Sequence, residues 1–134
     1  MARIMLVDSD VNILRDMKEY LLWYGFDVDA LGDSSGVMER LEKGAYDMVI
    51  CDIFVQPVDG YLLAQMIRKS QNADIAALVV MLTAPEEPEL DRQLFLGRLG
   101  VNFMNKYGNA GVWNEKINIL LNLQKRRGKV HEKI

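Results

Sequence analysis

The sequence predicts an α/β fold of the doubly wound kind, a five-stranded parallel sheet with helices on both faces. Short, continuous apolar runs recur along the chain and stop at an acid, a hydroxyl or a turn residue, as strands buried on both faces do. Segments of helical period separate these runs, the alternation that builds a parallel sheet. The 134 residues hold no internal repeat and no linker-like stretch before the tail, which fits one domain with one sheet.

Each element has its own signal. Ile4-Met5-Leu6-Val7 is the first apolar run and stops at Asp8. Asp10 is placed to cap a helix in which Val11, Leu14, Met17, Leu21 and Tyr24 recur until Gly25. Phe26–Ala30 reads as a weaker strand, and Asp27 and Asp29 mark it as nearer an edge. Asp33-Ser34-Ser35 is a capping signal for a helix through Val37, Met38 and Leu41 that ends near Gly44. Met48-Val49-Ile50-Cys51 is a second buried run, closed by Asp52. A loop with Pro57, Asp59 and Gly60 then leads into a helix through Leu62, Leu63, Met66 and Ile67. Leu78–Leu82 is the strongest strand signal and ends at Thr83. Pro85 and Pro88 punctuate the loop before a helix carrying Leu90, Leu94, Phe95 and Leu99. Val101–Asn105 is the fifth strand, followed by Lys106 and a Gly-rich loop. The last helix runs from about Val112 to Arg127, with Trp113, Ile117, Leu120, Leu121 and Leu123 on or near its apolar side.

Composition removes several classes of function. The single cysteine, Cys51, has no partner for an internal disulfide, and no Cys/His cluster of zinc-site spacing is present. Beside an acid on an alternating strand, Cys51 is expected to face the core. No apolar run reaches the ~18–20 residues that span a bilayer, and Met-Ala-Arg does not open a signal peptide. A cytoplasmic setting without membrane contact is expected. The net charge of −3 is unevenly placed: residues 125–134 carry +4, which leaves −7 on residues 1–124. The domain is expected to occupy residues 1–127, with 128–134 a basic tail, disordered or the start of a linker.

In a sheet of this kind ligands sit beyond the carboxyl ends of the strands. The chain places Asp8-Ser9-Asp10, Asp52, Thr83 and Lys106 at those ends. Carboxylates beside buried strands bring no benefit to folding, whereas two acids, a hydroxyl and an amine on one rim suit divalent-metal-assisted phosphoryl transfer. Carboxylate oxygens suit Mg²⁺, a lysine and a hydroxyl suit phosphoryl oxygens, and an aspartate can form an acyl phosphate. Asp10 alone reads as a helix cap.

These residues resemble the receiver domains of two-component response regulators, over Ile4 to about Arg127. The resemblance rests on five segments in order: Ile4–Asp8, Asp47–Asp52, Asp59-Gly60, Leu82-Thr83-Ala84 and Gly100–Lys106. It implies a flavodoxin-like (βα)5 fold with strand order 2-1-3-4-5. It further implies that Asp52 accepts a phosphoryl group from a sensor histidine kinase or phosphotransfer protein. Asp8, Asp52 and the Phe54 backbone carbonyl would surround Mg²⁺, while Thr83, the Ala84 amide and Lys106 would hold the phosphoryl oxygens. Phe103 falls at the position of the family's aromatic switch, acting with Thr83. The change would be read by an unidentified downstream protein at the face of the fourth helix, fifth strand and fifth helix, with a homodimer as one form of that contact. Such a domain is not an enzyme beyond its own phosphorylation and dephosphorylation. Nucleic acid would be reached through an output domain, or weakly through the basic tail.

Three positions depart from the family pattern. Ser9 stands where a second acid is usual and brings no negative charge to the metal. Gln56 precedes Pro57 where the proline is expected one residue earlier, which reshapes that loop. Tyr107 follows Lys106 in place of a proline, so a trans bond and a displaced Lys106 are expected. Two alternatives follow. One is a pseudo-receiver, the same fold used for interaction without phosphorylation, with Leu22 and Trp23 as a partner patch or as peripheral packing. The other is a haloacid-dehalogenase-like phosphatase with Asp8 as nucleophile and Asp10 as general acid, which leaves Asp52 and Asp59-Gly60 unexplained. An FMN site is disfavoured because the acidic first loop would repel the cofactor's phosphate.

Overall fold

The computed structural model describes the backbone of residues 1–132 and the side chains of residues 1–125. Along the chain lie β1 (Arg3–Val7), α1 (Val11–Trp23), β2 (Asp27–Leu31), α2 (Val37–Lys43), β3 (Met48–Asp52) and α3 (Gly60–Arg68). There follow α4 (Ala73–Ala76), β4 (Val79–Ala84), α5 (Leu90–Leu99), β5 (Asn102–Asn105) and α6 (Ala110–Glu132). The strands form one parallel sheet in the order β2-β1-β3-β4-β5. Fold class and strand order are those expected.

Period-two alternation divides the sheet's side chains between two cores. Met5, Val7, Val49, Cys51, Val80 and Leu82 point to one face and pack against α2, α3 and α5 through Val37, Leu41, Leu63, Ile67 and Leu96. Ile4, Leu6, Met48, Ile50, Val79 and Met81 point to the other, where Met17 and Leu21 of α1 meet Trp113, Ile117 and Leu121 of α6. Because both faces are covered, the central strands are apolar throughout, and Cys51 is a core side chain as its position required.

The register sets the functional rim. Val7 is level with Cys51, Asp52 with Thr83, and Ala84 with Asn105. Asp8, Asp52, Thr83 and Lys106 therefore emerge together at the carboxyl edge of four adjacent strands.

Four local features differ from the expectations. Asn72 caps an unpredicted one-turn helix, α4, by accepting the Asp74 and Ile75 amides. Gly36, not the Asp33-Ser34-Ser35 run, stands at the N-terminus of α2 and gives no side-chain cap. Asp33 instead accepts from the amide and hydroxyl of Ser35, and Ser34 turns inward. The last helix begins at Ala110 and runs to Glu132, so the expected boundary at 127/128 falls inside it. Residues 133 and 134, and the side chains of the basic run from 126 onward, lie outside the described residues. Leu22 and Trp23 are exposed, Trp23 to 85%, and so do not serve as peripheral packing. No helix among the described residues is long and apolar enough to cross a membrane.

At the opposite edge of the sheet Arg68 ties three elements together. Its guanidinium donates to the carbonyls of Leu99 (2.6 Å), Gly100 (3.0 Å), Ala76 (3.1 Å) and Leu78 (2.6 Å). These include orphan carbonyls at the ends of α4 and α5, where a cation also meets the negative ends of the helix dipoles. Burial lowers the Arg68 pKa, and no acid is needed to hold it. Arg68→Met is expected to lower the unfolding free energy by roughly 3 kcal/mol, because it leaves carbonyls unpaired around a lost charge. Arg98→Met, on the exposed side of α5, should stay within about 0.5 kcal/mol. Urea denaturation of the two variants tests this difference.

Candidate functional site

Asp8 follows β1 directly, and its backbone amide still bonds across to Leu31. Asp52 is the last residue of β3, and Lys106 is fixed to β4 by its amide on the Ala84 carbonyl at 3.0 Å. The Lys106 ammonium lies 3.0 Å from Asp8 Oδ2 and 3.3 Å from Asp52 Oδ1. All three are buried, with exposures of 1%, 3% and 7% for Asp8, Asp52 and Lys106. Thr83, also buried, sits level with Asp52 on the neighbouring strand. The sequence-predicted acids, hydroxyl and amine thus converge on one rim.

The charges in this site do not balance, since two carboxylates face one ammonium. Burial raises the Asp52 pKa above the usual carboxylate range, and Asp8 raises it further against the opposing pull of Lys106 and the Phe54 amide. For Lys106, burial acts to lower the pKa, but the close contact with Asp8 and the charges of both acids outweigh it and raise it. Asp8 Oδ1 accepts the Asp10 amide at 2.9 Å. Asp8 Oδ2 and Asp52 Oδ1 lie within ion-pair reach of the ammonium, yet no donor is aligned on either. Buried carboxylate oxygens without an aligned donor invite a cation.

Two carboxylates suffice for Mg²⁺ when water and phosphoryl oxygens complete its shell. The donor set therefore fits a divalent cation, though with little charge to spare. Among the described residues no third His, Cys, Asp or Glu joins Asp8 and Asp52 in a metal-binding cluster. Ser9 is exposed. Asp10 accepts the Asn12 and Ile13 amides at 3.0 and 3.2 Å, and so serves as the N-cap of α1.

Without the proline, Lys106 still reaches both acids. The Lys106–Tyr107 bond is trans, and Asn105 holds the turn instead. Its amide group donates to the Pro85 carbonyl at 2.9 Å and accepts the Tyr107 amide at 2.9 Å. Its own carbonyl accepts from the Trp113 indole at 3.1 Å. Asn105 and Trp113 are site-shaping residues that sequence reasoning missed as such. An asparagine two residues before an unpaired amide was the available signal, because Asn closes turns of this kind.

The loop after Asp52 is tightly held. Gly60 N–H bonds the Ile53 carbonyl at 3.0 Å, and a Cβ on Gly60 would lie 2.7 Å from Ile53 Cα and 2.9 Å from the Asp52 carbonyl. Only glycine lets α3 start this close to the end of β3. Ser34, from the loop after β2, donates its hydroxyl to the Val58 carbonyl (2.6 Å) and accepts the Val58 amide (2.9 Å). Its own amide donates to the Gln56 carbonyl. The reshaping expected from Gln56-Pro57 takes the form of a cis bond between them. Phe54 presents its ring to solvent, 66% exposed, while Phe103 is half-buried against the core beneath α5. Ala84 is buried at the end of β4.

A doubly wound sheet of this strand order, with Asp, Asp, Thr and Lys at its carboxyl edge, defines a receiver-type signalling domain. The chain belongs to the response regulator receiver domain family, whose model matches residues 4–107. The transcriptional activator protein PfeR of Pseudomonas aeruginosa is 32% identical over 90 residues, covering 67% of this chain and 28% of that protein. The regulatory protein VanRc of Enterococcus gallinarum is 32% identical over 90 residues, covering 67% and 37%. The chain thus spans about a third of the length of these relatives. A CheY-like receiver domain protein from Methanospirillum hungatei superposes with a TM-score of 0.84 at 21% identity, over 95% of this chain and 98% of that one. NtrX from Brucella abortus gives 0.83 at 22% identity, over 97% and 29%.

The raised Asp52 pKa fixes the sign of a pH effect. Between the unfolded value, about 3.9, and the higher native value, the folded protein holds a proton that the unfolded chain releases. Stability attributable to Asp52 therefore falls as pH rises through that window and stays reduced above it. Asp52→Asn is expected to be more stable than the parent at pH 7 without divalent metal, by on the order of 1 kcal/mol. The gap should close as pH falls below the ordinary carboxylate range. Urea denaturation across pH measures both points.

Proposed function

We propose that this domain is a phosphoacceptor of two-component signalling in which Asp52 takes a phosphoryl group from a phosphohistidine on a sensor kinase or phosphotransfer protein. The observation that carries this reading is the buried Asp8–Lys106–Asp52 group, held at the strand ends with two carboxylate oxygens lacking aligned donors. An Asp52 carboxylate oxygen attacks phosphorus, the new O–P bond forms, and the P–N bond breaks. The imidazole leaves with the electron pair and takes up a proton. Lys106 offsets charge on the phosphoryl oxygens, and the Thr83 hydroxyl and Ala84 amide donate to them. Asp8, Asp52 and the Phe54 carbonyl would hold Mg²⁺, which supplies further neutralisation when bound. The domain catalyses only its own phosphorylation and dephosphorylation.

Phosphorylation replaces a carboxylate paired with Lys106 by a group of roughly −1.5 to −2 charge. Thr83 lies on β4 and Lys106 directly follows β5, the strand that carries Phe103, so a shift toward the phosphoryl group biases the packing under α5. Because α4 is an extra turn, the expected readout face is α5, β5 and α6. Leu94 of α5 and Val112, Ile119 and Leu123 of α6 are exposed apolar residues on these helices, which suits contact with a downstream protein or a second copy.

Ser9 and the absence of a third acid among the described residues favour a second reading, the unphosphorylated interaction module. Asp10 as the N-cap of α1 weighs against the phosphatase reading, in which it would be the general acid. Incubation with Mg²⁺ and acetyl phosphate, or with beryllofluoride, separates the two that remain. Intact mass should show one added phosphoryl group, absent in Asp52→Asn, and amide shifts should cluster at Asp52, Thr83 and Lys106. Absence of both adduct and shifts identifies the interaction module. Ser9→Asp is expected to tighten Mg²⁺ binding about tenfold or more, since it restores a charge worth roughly 4 kcal/mol at 4 Å before desolvation. A Mg²⁺ titration followed by amide shifts measures it.

A further inference from the structure

We propose that the cleft between the β3–α3 and β4–α5 loops is a docking site for a partner-protein segment carrying a guanidinium or ammonium group beside an apolar anchor. The cleft is an open groove of about 630 Å³. Ile53 and Ala84, the residues directly after Asp52 and Thr83, form part of its lining, so it opens beside the phosphorylation rim. The exposed ring of Phe54 and the half-buried ring of Tyr61 give it an apolar surface.

Its mouth is negative. Glu86, Glu87, Glu89 and Asp91 all line it and all are exposed. Among the described residues none of these four carboxylates takes part in an ion pair. Asp91 accepts only the backbone amide of Arg92. Four like charges without partners around an exposed aromatic ring repel one another, and a bound cation relieves that repulsion.

The cleft also shows which cation it accommodates. Arg92 lies with its guanidinium 4.7 Å from the centre of the Tyr61 ring, and Tyr61 in turn meets Phe95 edge to face at 6.3 Å. An aromatic face inside an acidic rim is the chemistry that recognises guanidinium and ammonium groups. One such group, from the protein itself, is already seated there, and the four carboxylates leave charge for more. Phe54, exposed at the entrance, offers the contact for an aliphatic or aromatic neighbour of the incoming cation. The same negative field repels nucleic acid and anionic lipid, which leaves a protein segment as the occupant.

The test uses the unphosphorylated protein without Mg²⁺ or phosphodonor, so its outcome is separate from that of phosphotransfer to Asp52. Isotope-labelled protein is titrated with a short synthetic peptide of alternating arginine and leucine, and with a second in which glutamate replaces arginine. The arginine peptide should bind, with amide shifts confined to residues 53–61 and 84–92, and the glutamate peptide should not. The combined change Glu86→Lys, Glu87→Lys and Glu89→Lys, all at exposed positions, should weaken binding about tenfold or more. Phe54→Ser should weaken it about threefold to tenfold while leaving its salt dependence intact. No binding of the arginine peptide overturns the proposal. So do shifts spread over the acids of α1, or an affinity unchanged in the charge-reversed variant.

Discussion

One ammonium group between two buried carboxylates is the constraint on which the site depends. Lys106 contacts Asp8 and Asp52 at 3.0 and 3.3 Å, in a place where none of the three has appreciable access to water. A buried pair of like charges is costly, and removing the cation between them would leave both uncompensated. The parallel register brings the acids together, since Val7 and Cys51 are level and each acid follows directly. The fold therefore imposes the repulsion, and the lysine from the edge of β5 relieves only part of it. What remains is a net negative site with two oxygens lacking aligned donors, a condition that disfavours folding and favours binding a cation.

The lysine must then be held where it works. Its amide is bonded to Ala84, and the turn beyond it is closed by the side chain of Asn105, with Trp113 bonded to the same residue's carbonyl. These contacts do by hydrogen bonding what a fixed proline ring would do by restricting the backbone. The indole of Trp113 also packs into the core beneath α6, which couples the position of the lysine to the seating of that helix.

Much of this was legible in the sequence because the information is local. Apolar runs ending in Asp8, Asp52 and Thr83 mark both the strands and their carboxyl edges, and in a parallel sheet those edges meet. The residues that escaped notice act across the fold. Arg68 drew no notice in the sequence, and only the tertiary structure brings the carbonyls of Ala76, Leu78, Leu99 and Gly100 to it. Ser34 reads as part of a capping run, whereas its hydroxyl is bonded to Val58, twenty-four positions away. Asn105 reads as the end of a strand until the loop after β4 is in place. The short helix α4 has too few residues to show a period and is signalled only by the cap at Asn72.

The charge carried by the body of the domain has two consequences at one rim. The Asp8–Lys106–Asp52 group is net negative, and the cleft beside it adds four carboxylates against one guanidinium. On the phosphoacceptor reading proposed above, the phosphodonor is itself an anion, so this field would oppose its approach, more so at low salt where screening is weak. A donor that brings its own cations to the cleft cancels that opposition, while a small free anion does not. Electrostatics of this sign act on encounter and partner choice more than on the chemistry at Asp52. On that proposed reading, selectivity for protein donors over small anions would follow from the exposed carboxylates of the cleft together with the buried pair at the strand ends.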